Sequence, residues 1–350
     1  MSGSSSAASP LSPSVGARRK GPKTLPRLPL SAFTPPSSGT GDTFAVAPSP
    51  SVLQPREVVD AYVIAAGGDL TRWKEEVAGR TLGSRAKAAV LSLYGEEPAQ
   101  LEKIIQGLHS QEASVLAVLV PIIFDDGDAS FIPPSYLSSA KDSKPTLVPS
   151  VIFTKNDRKT RDALQWALDE GFTVNIDVQC DISEDTNGWD ALEEMLTSIS
   201  NPHTPRENGK IIISNILPPT DDLSLPIVKL LTHSSYQNYQ SNVATLSLFA
   251  KVFVNYLPPA WGTPIPSSSG DPHKERSEWK RRIKMYISPA VEAFGFQRIL
   301  FGSSPSRASE VSSNASDWYE LARESFAELG VEQEAVDAVF CTNAKAVYGS

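Results

Sequence analysis

Histidine and cysteine are scarce in this chain: its 350 residues include four histidines and two cysteines. His109, His203, His233 and His273 form no His-x-His pair, so the paired imidazoles that often hold a catalytic divalent metal are missing. Cys180 and Cys341 lie far apart and make no Cys-x-x-Cys motif. They read as reduced thiols, not as a disulfide frame. No apolar run reaches the ~18 residues of a membrane helix, and the opening MSGSSSAASPLSPSVGARRK has no apolar core of a secretory signal. That opening is Ser-rich and basic, with no acid before Asp42, as in mitochondrial transit peptides. Its prolines oppose an amphipathic targeting helix, and cytoplasm is the expected compartment. A net charge of −8 removes any general attraction to nucleic acid or an anionic membrane. No Gly-rich phosphate loop follows an apolar run, and no Gly-x-Ser-x-Gly elbow surrounds a serine.

What is present falls into two parts. Residues 1–50 are a Ser/Pro/Gly tract, too poor in apolar surface to offset its ordering entropy, and expected to be disordered. Within it only LPRLPLSAF (25–33) has enough apolar content to lie along a surface. From residue 51 to 350 short β-branched runs alternate with amphipathic segments. AAVLSLYG (88–95), VLAVLVPIIF (115–124), LVPSVIFT (147–154), FTVNIDVQ (172–179), KIIISNIL (210–217), KVFVNYL (251–257) and RILFGSS (298–304) read as strands. Helical patterns separate them, among them DRKTRDALQWALDEG with Gly171 as its stop, and a region from Leu225 to Ala250 broken near His233. After the last strand come two more helices, the first capped by Ser316 and stopped by Gly330. Strands apolar throughout and separated by helices imply parallel pairing with both faces buried. VVDAYVI (58–64) supplies an eighth strand, unless Pro55 starts a helix there and Gly67-Gly68 ends it. With the strand, the pattern is that of an α/β (β/α)₈ barrel, which needs ~250 residues in one domain. A doubly wound open sheet is the rival.

The C-terminal part resembles a known family. FGFQRILFGSSPS, a helix, then LGVEQEAVDAVFCTNAKAVYG is similar to the closing segment of the amidohydrolase-related barrels, the family of pyrone-dicarboxylate lactonase and aminocarboxymuconate-semialdehyde decarboxylase. Phe301-Gly302-Ser303 and Asn343-Ala344 match its pattern, with Ser304 where the family has aspartate. IIISNILPP resembles its Asp-His strand, with Asn215 in place of histidine, and VFVNYL its lysine-bearing strand, with Asn255 in place of lysine. If VVDAYVI corresponds to its first strand, Tyr62 and Ile64 stand at the two histidine positions. The resemblance implies a hydrolase or lyase barrel, and the replacements imply that no metal and no other cofactor is held.

In such barrels chemistry sits at the C-terminal ends of the strands. That rule selects Lys155, Asp177, Gln179, Cys180, Asn215, Asn255, Tyr256, Ser303 and Ser304. Asp177, inside an apolar strand, is the candidate proton-transfer group, with a structural hydrogen-bond hub as the alternative. His233, flanked by Tyr236 and Tyr239, is the second catalytic candidate, or a capping residue. Asn215, Asn255, Tyr256, Ser304 and Lys155 are candidate substrate contacts, with Trp261 as a pocket wall or a loop anchor. Three functions follow: a metal-independent hydrolase or lyase for a small carboxylated or cyclic, lactone-like substrate; a pseudoenzyme kept as a scaffold; or a metal enzyme with an unusual ligand set. The expected partner is a small molecule, not nucleic acid or membrane, and a homodimer stays open.

Overall fold

A computed structural model describes residues 52–94, 97–108, 115–124, 131–138, 144–182, 187–200, 209–267, 273–306, 309 and 313–349. The N-terminal tract therefore lies outside the described residues. Eight parallel strands run in chain order through one sheet: β1 Val58–Ile64, β2 Ala86–Ser92, β3 Val115–Pro121, β4 Thr146–Phe153, β5 Val174–Val178, β6 Ile211–Leu217, β7 Val252–Tyr256 and β8 Ile299–Phe301. Residues 58–64 are thus a strand, and the open-sheet alternative falls away. Helices fill the crossovers, as parallel connections require, and each strand is paired to the next along its length.

The sheet curls into a nearly closed barrel, and β1 meets β8 through point contacts. The Ser303 backbone N–H donates to Asp60 Oδ1 at 2.8 Å, that of Ser304 to the Tyr62 carbonyl at 3.0 Å, and that of Ile64 to Ser304 Oγ at 3.0 Å. Asp60 also accepts from the Tyr62 N–H and from Trp73 Nε1. Fully buried, it ties the first strand, the exit of the last strand and the helix Thr71–Val77 together. Gly302 belongs to the same seam: a Cβ there would stand 2.7 Å from Tyr62 Cβ and 2.6 Å from Leu257 Cδ2.

The pleat sends alternate side chains to opposite faces. Val151, Phe153, Ile176, Val178, Ile213, Val254 and Tyr256 join the large core between barrel and helices. Val59, Ala61, Val90, Ala117, Leu119, Val148, Ile212 and Leu300 form a separate inner cluster, together with Cys341, Ala344, Val347 and Tyr348. Those last four belong to the terminal helical run 333–348, which closes the barrel at the strand starts. Asn343 Nδ2 holds that run by donating to the carbonyls of Phe296 and Ile299, and Lys345 pairs with Glu57 just before β1. The Asn343-Ala344 match therefore has a structural reason: an amide clamp followed by a residue small enough to enter the barrel.

Some boundaries differ from expectation. Asn314, not Ser316, caps the helix Ala315–Ala327, because its Oδ1 accepts from the N–H groups of both Ser316 and Asp317; the Ser316 hydroxyl donates to the Glu76 carbonyl instead. Gly330 is the stop, at φ 80°. The strand 298–304 shortens to three residues, since the chain after Phe301 turns to the β1 seam. No described helix is long and apolar enough to cross a membrane.

Candidate functional site

Beyond the apolar plug, the barrel interior changes character. Two positions after Val148, Ile212 and Phe253 on the same strand faces stand Ser150, Ser214 and Asn255, and two after Val90 stands Ser92; all four polar residues are buried. Asn175 and Asp177 occupy the inner face of β5, both with no exposed surface. Four of these groups form one chain across β4 to β7. Asn175 Nδ2 donates to Ser150 Oγ at 2.9 Å, Ser214 Oγ donates to Asn175 Oδ1 at 2.8 Å, and Asn255 Nδ2 donates to Ser214 Oγ at 2.8 Å. Two members of the layer keep unused capacity: Asn255 Oδ1 and Ser92 Oγ are buried without a hydrogen-bond partner. Native interiors rarely leave such groups orphaned unless something else supplies the bond.

Asp177 lies toward the C-terminal end of this layer. Its Oδ1 accepts from Ser306 Oγ, on the segment after β8, at 3.0 Å, and its Oδ2 accepts from Gln179 Nε2 at 3.3 Å. Segments that follow β5 and β8 thus converge on one buried carboxyl group. Ile64, at the end of β1, and Ile123, past the end of β3, expose apolar side chains on the same end of the barrel.

The other candidates are placed differently. Asn215 adopts φ 70°, a left-handed conformation that asparagine tolerates better than most residues. Its Nδ2 donates to the Val178 carbonyl at 2.7 Å, which ties β6 to the end of β5. The strand runs on to Leu217, so Asn215 is a bulge before the strand end, and Ser214 takes the inward position beside Asn255. Ser304 Oγ is engaged in the barrel seam. Tyr256 turns away from the interior, because Asn255 beside it turns in. Its hydroxyl donates to the Ala322 carbonyl and its ring meets Trp318 edge-on at 5.2 Å.

Trp261 is a loop anchor: Nε1 donates to the Pro219 carbonyl and the indole packs 4.7 Å from that of Trp279. His233 caps the helix Ser234–Ser247 from an exposed position, with Nδ1 2.7 Å from Ser235 Oγ. Tyr236 and Tyr239 donate to the carbonyls of Met285 and Tyr286, so they secure the helix His273–Phe294 and do not stand beside a substrate. Lys155 is exposed past β4. Cys180 is half-buried, and burial pushes its thiol pKa up, which opposes a thiolate nucleophile. His109 and His203 lie outside the described residues.

A catalytic divalent cation in a barrel of this kind would need imidazoles and carboxylates directed at one point. Instead the corresponding positions hold Tyr62, Ile64, the Asn215 amide that donates to a carbonyl, and the Ser304 hydroxyl that accepts a backbone N–H. Among the described residues no three of His, Cys, Asp and Glu stand together in a group able to hold a metal. The donor set does not fit such an ion.

Solved structures that share this fold include amidohydrolases. An amidohydrolase from Burkholderia multivorans with bound HEPES superposes at a TM-score of 0.53 and 13% identity, over 84% of this chain and 99% of that one. Another crystal form of it, with bound zinc, gives 0.51 at 14% identity over 84% and 99%. A protein from Pseudomonas putida assigned as a 2-pyrone-4,6-dicarboxylic acid hydrolase gives 0.50 at 15% identity over 84% and 98%. No protein-family model and no curated protein matches this sequence. The chain shares the barrel fold of these structures at 13–15% sequence identity.

Proposed function

We propose that this barrel is a metal-independent hydrolase or lyase for a small cyclic, lactone-like or carboxylated substrate, with Asp177 as the proton-transfer group. One observation carries the reading: a fully buried carboxyl group stands at the catalytic end of an amidohydrolase-type barrel, beside a layer of side-chain amides and hydroxyls with unused hydrogen-bonding capacity. In hydrolysis, Asp177 would take a proton from water as the water oxygen attacks a ring carbonyl, and would return it to the oxygen that leaves. Asn255 and Ser92 would orient the substrate. The fold resemblance supports hydrolytic chemistry as a class, and the donor set at the family's metal positions supports doing it without a metal.

The test is a panel of five- and six-membered lactones and cyclic amides, assayed with chelator-treated wild type and with Asp177→Asn. Turnover by treated wild type and its loss in Asp177→Asn are expected. Activity that vanishes with the chelator and returns with zinc overturns the reading. A second reading has its own support: Asn215 and Ser304, at two of the family's ligand positions, now make structural bonds, as in a barrel kept as a scaffold. Absence of turnover on the whole panel would favour it.

A further inference from the structure

The reading above leaves the charge of the substrate open, and the barrel interior has a clear charge pattern. Toward the strand ends its described polar groups include the amides of Asn175 and Asn255, the hydroxyls of Ser92, Ser150 and Ser214, and the Asp177 carboxyl, whose oxygens already accept from Ser306 and Gln179, while the inner cluster adds the phenol hydroxyls of Tyr62 and Tyr348. Among the described residues none of the buried groups on this inner face is cationic. The deeply buried arginines are elsewhere and already engaged: Arg282 with Asp221 and the carbonyls of Asp222, Leu223 and Leu225, and Arg323 with Glu320 and the Leu53 carbonyl. A carboxylate brought into a dry interior requires a positive partner or several converging donors. Here it would meet another carboxyl group.

The unused capacity points the other way. Asn255 gives one of its two Nδ2 hydrogens to Ser214, and its Oδ1, an acceptor, is the atom left with no partner. Ser92 Oγ, on β2, can donate and accept. An acceptor and a hydroxyl, both buried and both on the inner face, are complementary to a ligand that offers O–H or N–H groups. At the rim of the same end Ile64 and Ile123 are 39% and 43% exposed, which suits an apolar ring surface.

We infer that the barrel mouth is built for a neutral, hydroxyl- or N–H-bearing cyclic molecule, with Asn255 Oδ1 and Ser92 Oγ as specificity groups, and that it rejects carboxylate anions. The inference rests on the mouth being the ligand site, and it narrows the substrate class to uncharged rings such as hydroxylated lactones or lactams.

Ligand-observed NMR on the full chain tests it without turnover. The neutral probes are 3-hydroxy-δ-valerolactone, 2-piperidone and cis-1,2-cyclohexanediol; the anionic ones are cyclohexanecarboxylate and 2-pyrone-4,6-dicarboxylate. The neutral set should bind at least ~10-fold more tightly than the anionic set, as expected for a site whose buried polar groups are left unpaired by the wrong ligand. Ser92→Ala should weaken the neutral probes by ~5- to 10-fold while its melting temperature stays at or above that of wild type, because it removes an orphaned hydroxyl. Asn255→Asp, which adds a negative charge, should weaken anionic probes further. Equal or tighter binding of the anions overturns the inference, as does binding of neither set, or neutral binding that Ser92→Ala leaves unchanged. Selective neutral binding without turnover of the lactone panel would instead uphold this inference and sink the hydrolase reading.

Discussion

The two ends of the barrel interior are built from different materials. At the strand starts, Val59, Ala117, Val148, Ile212 and Leu300 pack against Val347 and Tyr348 of the terminal helix, a seal that is apolar apart from the buried Tyr348 hydroxyl. One pleat period further along β4, β6 and β7, the inward positions become Ser150, Ser214 and Asn255, with Asp177 on β5 between β4 and β6. An apolar layer there would be easier to stabilise, since buried polar groups are at best neutral and orphaned ones unfavourable. The difference separates two roles: the sealed end holds the fold, and the polar end is, on the function proposed above, the part kept for a ligand.

Variants at the sealed end should show the largest effects. Tyr348→Ala removes a fully buried aromatic ring and should lower unfolding free energy by ~3–5 kcal/mol, read by urea denaturation. The β1–β8 seam comes next: Asp60→Ala leaves three N–H donors of Tyr62, Ser303 and Trp73 without their acceptor and should lose ~2–4 kcal/mol.

The same carboxyl group gives a pH signature. Burial pushes the Asp60 pKa up to about 6, against the opposing hydrogen bonds from Ser303, Trp73 and Tyr62. The folded protein therefore holds this proton where the unfolded chain, titrating near ~3.9, has released it. The stability contributed by protonated Asp60 is full below ~4 and is lost as pH rises through about 6, a change on the order of 3 kcal/mol. Asp60→Asn should abolish that part of the slope when unfolding is compared across this window; an unchanged slope would mean that Asp60 does not titrate there. The smallest effect is expected at the polar end, where Asn255→Leu should change unfolding free energy by less than ~1 kcal/mol while abolishing ligand binding. A loss comparable to that of Tyr348→Ala would erase the contrast between the two ends.

Most of the fold was legible in the sequence because apolar strands and amphipathic helices alternate with distinct periods. Even the ambiguous VVDAYVI was resolved by closure, since the eight-stranded barrel needs it. The site was only partly legible. Asp177 stood out as a carboxyl group in an apolar strand, and Asn255 as a strand-end residue at the family's lysine position. Ser92, Ser150, Asn175 and Ser214 were missed because serine and asparagine near strand ends resemble ordinary loop approaches. Their signal was a repeated apolar-x-polar step, Val90 to Ser92, Val148 to Ser150, Ile212 to Ser214 and Phe253 to Asn255. Asn215 was selected because the resemblance placed it at a histidine position, and the bulge between Ile213 and Leu217 gives the inward position to Ser214. Tyr256 and Asn255 were selected together, and the period-two pleat sends them to opposite faces, Asn255 inward and Tyr256 toward Trp318. Asp60 was read only as a strand residue: its partners Trp73 and Ser303 come from distant segments, which no local pattern reveals.

Whether the polar end serves a ligand or merely staples the barrel is decided most directly at Asp177. The measurement is the unfolding free energy of Asp177→Leu by urea denaturation at neutral pH. If Asp177 is kept for chemistry, replacing a buried carboxyl group by an apolar side chain of similar size leaves stability within ~1 kcal/mol of wild type or raises it. A loss of ~3 kcal/mol or more would make Asp177 a structural hub for Ser306 and Gln179, and would contradict the account.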